Sequence, residues 1–250
     1  MTFDLAFFFL AIPAVILAGI SKGGFGSGAS FVATPILAIV LPPEMAVGIL
    51  LPLLMLMDVG GLKAYWGKWV KLDAMRLIIG SLPGVALAAA IWSVANPEFL
   101  RFFIGLIAVG FVAVQLAKSL GWIRPPKQPA GQIAGLIAGA TAGFTSFISH
   151  AGGPPATIYL LSRNLTKTEY QATTVLVFWA INIAKAVPYA FLGIFTGPSL
   201  LAALYLAPVA LLGTWLGVRA HRAVPEKAYF MVTYVLLTIT GLKLMFDAVT

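Results

Sequence analysis

The run Gly19-Ile20-Ser21-Lys22-Gly23-Gly24-Phe25-Gly26-Ser27-Gly28 joins a long apolar segment at 5–20 to a shorter one at 29–41. A hydrocarbon core about 30 Å thick needs about 20 apolar residues as helix, so the second segment is too short to span. Glycine at this density interrupts a helix, because it loses the most backbone entropy on ordering. A second interruption, His150-Ala151-Gly152-Gly153-Pro154-Pro155, precedes another short apolar segment at 155–162. There the prolines also remove backbone donors. Long apolar segments fill the rest of the chain, at 45–64, 74–95, 99–117, 130–148, 171–194, 199–218 and 228–246. Open strands leave their backbone groups unsatisfied in lipid. The expected fold is therefore an all-α polytopic membrane protein with two broken elements.

Composition agrees. Of 250 residues, 60% are hydrophobic and 10% charged, against about 45–50% and about 25% in water-soluble domains. Such a chain cannot cover itself with polar surface, which excludes a soluble enzyme and a disordered protein. The net charge of +8 comes from 16 Lys and Arg against 8 Asp and Glu. The basic residues sit mostly in connectors between apolar runs, where they orient a membrane protein rather than bind nucleic acid. The absence of cysteine removes disulfides, thiolate metal sites and cysteine nucleophiles. Met1-Thr2-Phe3-Asp4 lacks the positive region of a cleavable signal peptide, so the first apolar run is expected in the mature protein.

The polar connector Lys118 to Lys127 divides the chain into halves with the same order of elements: helix, Gly-rich break, short apolar piece, three long helices. Ala33-Thr34 matches Ala156-Thr157, Ala46 matches Ala172, Gly67 matches Gly193, and Pro97-Glu98 matches Pro225-Glu226. We expect a first transmembrane repeat at 1–118, a cytoplasmic linker at 119–129 and a second repeat at 130–250. Twelve of the 16 basic residues (Lys63, Lys68, Lys71, Arg76, Lys118, Arg124, Lys127, Arg163, Lys167, Arg219, Arg222, Lys227) fall on one side if each broken pair returns the chain to the side it left. The positive-inside rule makes that side cytoplasmic and puts both termini outside. The halves then run in opposite directions, an inverted repeat of the kind found in secondary transporters.

In such folds broken helices aim their free ends at a site near the bilayer midplane. The start of segment 29–41 would offer free N–H groups to an anion. Lys22 adds charge there, Ser27, Ser30 and Thr34 add hydroxyls, and Gly24 lies in the break. Ser146, Ser149, His150 and Thr157 stand in the second half, with Gly152-Gly153 open to close approach of a ligand. Lys185 and Asp58 lie deep in long segments, where an ionisable group costs about 2.5–3.5 kcal/mol and is functional by default. Asn182 shares a helix face with Lys185. Asp58 is a candidate for proton coupling and need not pair with Lys185. The structural alternatives are an orienting charge for Lys22, snorkelling for Lys185 and helix-carbonyl bonding for the hydroxyls. Tyr65, Trp66 and Trp69 beside Lys63 and Lys68 read as an interfacial belt, and Gly131, Gly135, Gly139 and Gly143 as a packing stripe. No metal-ligand spacing involves His150 or His221.

Gly19-x-x-Lys22-Gly23-Gly24-x-Gly26-x-Gly28, then Ala33-Thr34-Pro35-Ile36-Leu37 and Ala46-Val47-Gly48, resembles the TauE/SafE family of sulfite exporters and related anion permeases. Gly139-x-x-x-Gly143, Gly152-Gly153-Pro154-Pro155 and Ala172-Thr173-Thr174 extend the resemblance across almost the whole chain. It implies a multi-pass inner-membrane protein that moves sulfite, sulfonates or related organic anions. Expected partners are a small anionic substrate and membrane lipid, with a homo-oligomer open and no cofactor, catalytic residue or metal. The alternatives are a passive anion channel and an intramembrane hydrolase with Ser27 as nucleophile and His150 as base. The second would require glycine where Phe25 stands.

Overall fold

The computed structural model describes residues 5–24, 30–123, 129–220 and 226–250. All regular elements among them are helical: α1 Leu5–Gly24, a 3-10 turn Ser30–Val32, α2 Ala33–Ala38, α3 Pro43–Tyr65, α4 Lys71–Trp92, α5 Pro97–Ser119, α6 Gln132–Ser149, α7 Gly153–Leu161, α8 Lys167–Phe191, α9 Gly197–Ala220 and α10 Glu226–Asp247. Eight are long and apolar enough to cross a membrane, and α2 and α7 are the two that are not. The protein is an all-α polytopic membrane protein, with α2 inside the expected short segment 29–41 and α7 starting two residues ahead of the expected 155–162.

Local sequence sets the helix starts. Thr166 and Glu169 form a reciprocal capping box at α8, where the Thr166 hydroxyl accepts from the Glu169 N–H. Asn96 Oδ1 accepts from Phe99 N at 2.8 Å at α5, and Pro97 and Pro43 open α5 and α3 at positions that need no donor.

In lipid, helices associate through close contact of small residues rather than by the hydrophobic effect. Two pairs here do so. α1 lays Gly19 and Gly23 against Gly213 and Thr214 of α9, and α6 lays Gly139 and Gly143 against Leu77, Gly80 and Ser81 of α4. Three of the four stripe glycines meet neighbours in this way, while Gly131 faces open space. The stripe is an internal packing seam. A Cβ at Gly84 would sit 1.9 Å from the Ala140 carbonyl oxygen, a backbone atom that cannot rotate away. Gly84→Val is therefore expected to lower stability by about 3 kcal/mol. Gly110→Ala, facing open space, should melt like the parent in the same detergent.

Hydrogen bonds fix how the broken pairs turn. Tyr65 Oη donates to Gly23 O at 3.3 Å, so α1 and α3 end on the same side. Ser162 Oγ accepts from Ala130 N at 3.2 Å and Arg163 Nη1 donates to Ala130 O at 3.0 Å, so α7 returns the chain to the level where α6 began. Val70 N donates to Thr173 Oγ1 at 3.0 Å, which places the start of α4 beside the first turns of α8. α7 is held by a buried carboxylate: Tyr159 Oη donates to Asp73 Oδ1 at 2.6 Å, and Arg163 Nε lies 3.1 Å from the same oxygen.

Candidate functional site

α6 ends on His150, which takes a left-handed backbone (φ 58°) where glycine is usual. That turn aims the imidazole inward. Its Nε2 lies 3.1 Å from Val47 O, an atom that only accepts, so this nitrogen carries the proton. Nδ1 is then free to accept, and Lys185 Nζ lies 2.6 Å away. Lys185 also donates to Ser146 O at 3.0 Å and Ser146 Oγ at 2.9 Å. All three acceptors of the Lys185 ammonium are uncharged. The residue is 0% exposed, and among the described residues no carboxylate lies within hydrogen-bond or salt-bridge distance of its ammonium.

The second buried cation is differently placed. Lys22, in the last turn of α1, forms a salt bridge with Asp58 Oδ1 of α3. Asn182 Nδ2 of α8 donates to the other carboxylate oxygen at 2.6 Å. Lys22 is 4% exposed, Asp58 and Asn182 each 2%. Gln171 Nε2 donates to Lys22 O at 3.0 Å and pins the end of α1 to the first turns of α8. With His150 neutral, two lysines face one aspartate and the cluster carries one positive charge in excess.

A cavity of about 620 Å³ opens from the side that carries the ends of α1, α3 and α5 and the start of α8. Its wall includes Gly24, Lys118, Thr157, Lys167, Tyr170 and Gln171. Thr157 Oγ1 and Tyr170 Oη share a hydrogen bond of 2.8 Å within it. Gln171 thus touches both the cavity and the end of α1 that bears Lys22. Phe111, also in the wall, meets buried Phe31 edge to face at 5.1 Å and closes the way farther in.

Several expectations gain a location. Lys22, Asp58, His150, Asn182 and Lys185 come from three helices and one helix end to a single buried cluster. Lys22, expected to supply counter-charge, is paired with Asp58 in this conformation. Snorkelling does not describe Lys185, whose ammonium points into the protein. Ser149 Oγ donates to Thr145 O at 3.3 Å, the local bonding that helical serines favour. Gly152 is filled in by Ala142 O, Ser146 and Phe178 around it, and Gly24 lies against Gly217 O. Both are packing glycines, although Gly24 also borders the cavity. Ser30 is buried in the 3-10 turn ahead of α2, and α2 begins at Ala33 rather than 29. Ser27 lies outside the described residues. His150 has both ring nitrogens engaged, Nε2 with Val47 O and Nδ1 with Lys185 Nζ. Gln171 was missed by sequence reading, although a glutamine amid Ala172-Thr173-Thr174 near the start of an apolar helix is a legible signal.

The family model for the sulfite exporter TauE/SafE matches residues 11–244, which spans both interruptions and the whole cluster. The chain belongs to the TauE/SafE family. No curated protein and no solved structure matches it. Membership makes this TauE/SafE protein a membrane transporter of the sulfite exporter and anion permease kind, and its eight apolar helices make it multi-pass.

Proposed function

We propose that this TauE/SafE protein is a secondary transporter that moves a small anion, sulfite or a sulfonate or related organosulfur anion, across the bacterial inner membrane. The observation that carries the reading is Lys185: a fully buried cation whose three partners are neutral. A buried charge without a counter-charge is unfavourable, and a bound anion supplies what is missing. All three N–H groups of Lys185 are in use, so an arriving anion replaces Ser146 Oγ or His150 Nδ1 as acceptor. Those displaced groups remain beside it, with Asn182 of the same helix nearby. Asp58, held between Lys22 and Asn182, is the carboxylate through which proton coupling would run.

The two halves, 1–118 and 130–250 with 119–129 as linker, form an inverted repeat in this reading. Support comes from packing. α1 lies on α9 as α6 lies on α4, and α3 lies on α9 as α8 lies on α4, the exchange that a two-fold axis between the halves requires. The cavity opens on the face bearing Lys118, Arg163 and Lys167, which the positive-inside rule makes cytoplasmic, with both termini outside. Purified protein in proteoliposomes is expected to take up radiolabelled sulfite or a short alkylsulfonate with saturation. Unlabelled anion on the far side should accelerate that uptake. Flux that rises linearly with concentration and shows no counterflow would mean a channel instead.

A further inference from the structure

Thr34 is 0% exposed, and its hydroxyl has no hydrogen-bond partner among the described residues. Threonines in helices ordinarily donate to a carbonyl one turn back. Thr141, Thr214, Thr238 and Thr240 all do so here, at 2.7–3.0 Å. Thr34, in α2, does not. A hydroxyl buried without a partner in a tightly packed region calls for an explanation beyond packing.

Its counterpart supplies one. Ala33-Thr34 of α2 matches Ala156-Thr157 of α7. Thr157 faces the open cavity and bonds Tyr170. The two short helices differ in their surroundings. α7 packs on α6 and α8 and stands back from α5 and α10, with the cavity between them. α2 is closed down on α5 and α10, and Phe31 just ahead of it meets Phe111. One short helix therefore borders an open space, and its sequence counterpart lies where the equivalent space is shut.

We propose that Thr34 lines a second vestibule on the opposite face of the membrane, closed in this conformation. It opens when α7 closes against α5 and α10, and the Thr34 hydroxyl then donates to the departing or arriving anion. The proposal rests on the inverted repeat and extends the transport reading to the far side of the protein. It adds a substrate contact at a residue whose bonding capacity is idle in the state described. General two-fold logic supplies the motion, since repeats related by an axis in the membrane plane exchange roles between inward-facing and outward-facing states.

The chain contains no cysteine, so single-cysteine variants need no altered background. Thr34→Cys and Thr157→Cys are reconstituted in one orientation and exposed from each side to a membrane-impermeant thiosulfonate, without substrate. Thr157→Cys is expected to react from the basic face. Thr34→Cys is expected to react only from the opposite face. Adding Thr157→Trp, or Leu161→Trp on the same cavity wall if the first does not fold, wedges the open vestibule. That wedge should slow Thr34→Cys labelling at least about tenfold. Thr34→Cys that is inert from both faces, reactive from the basic face or indifferent to both wedges would overturn the proposal. Thr34→Val adds a second readout: it should melt no lower than the parent, because no bond is removed, and a clear drop in melting temperature would make the hydroxyl structural. Labelling needs no substrate, so absent sulfite flux with the expected labelling defeats only the choice of anion. Intact sulfite flux with an inert Thr34→Cys defeats only the second vestibule.

Discussion

Lys185→Met should reduce saturable anion uptake by about a hundredfold or more, while the protein stays folded and monodisperse in detergent. A hundredfold corresponds to about 2.7 kcal/mol of lost stabilisation for the anion along its path, comparable with the about 2.5–3.5 kcal/mol that places one charge at a helix centre. The fold is expected to tolerate the change because methionine keeps most of the side-chain volume. The Ser146 carbonyl also retains a donor, since His150 N lies 2.9 Å from it. Only Ser146 Oγ and His150 Nδ1 lose a partner, while a buried charge disappears at the same time. Replacing buried ionic groups by apolar ones of similar volume is often close to neutral for stability. Uptake of radiolabelled sulfite, scaled to reconstituted protein, is the measurement. Undiminished uptake by a folded Lys185→Met protein would remove the residue that carries the functional reading.

The fold was legible because lipid leaves few choices: length and apolarity marked the eight long helices, and glycine and proline marked the two interruptions. Depth was legible as well, since charged residues inside apolar runs had to face the interior, as Asp58 and Lys185 do. Partnership was not. Lys22 stands at the end of α1 and Asp58 well along α3, and nothing in either local sequence says that α1 and α3 end side by side. That follows from the return of the chain through α2, which Tyr65 and Gly23 record. The same holds for Asp73, Tyr159 and Arg163, which join α4 to α7 across more than 80 positions. Glycine was ambiguous in its own way. A residue without a side chain suits a ligand and a helix neighbour equally, and for Gly152 the structure supplies the neighbour.

The second large effect concerns the pair that the sequence did not join. Asp58→Asn leaves Lys22 buried with its carboxylate partner gone, and breaking a buried pair in this way costs about 3–5 kcal/mol. Against a typical total stability of about 5–15 kcal/mol, that loss is expected to cut the yield of folded protein sharply and to lower its melting temperature. Lys22→Met should do comparable damage by stranding Asp58, although Asn182 still donates to the carboxylate. The double variant Lys22→Met with Asp58→Asn removes both charges together and should recover most of the lost stability, so the two single effects will not add. This cycle also separates the two roles open to Asp58. If the carboxylate only neutralises Lys22, the double variant moves sulfite with the same response to an imposed pH gradient as the parent. If it carries protons, the double variant folds and binds the anion, and flux no longer follows the gradient. Single and double variants that melt alike would show instead that the salt bridge contributes nothing to the fold.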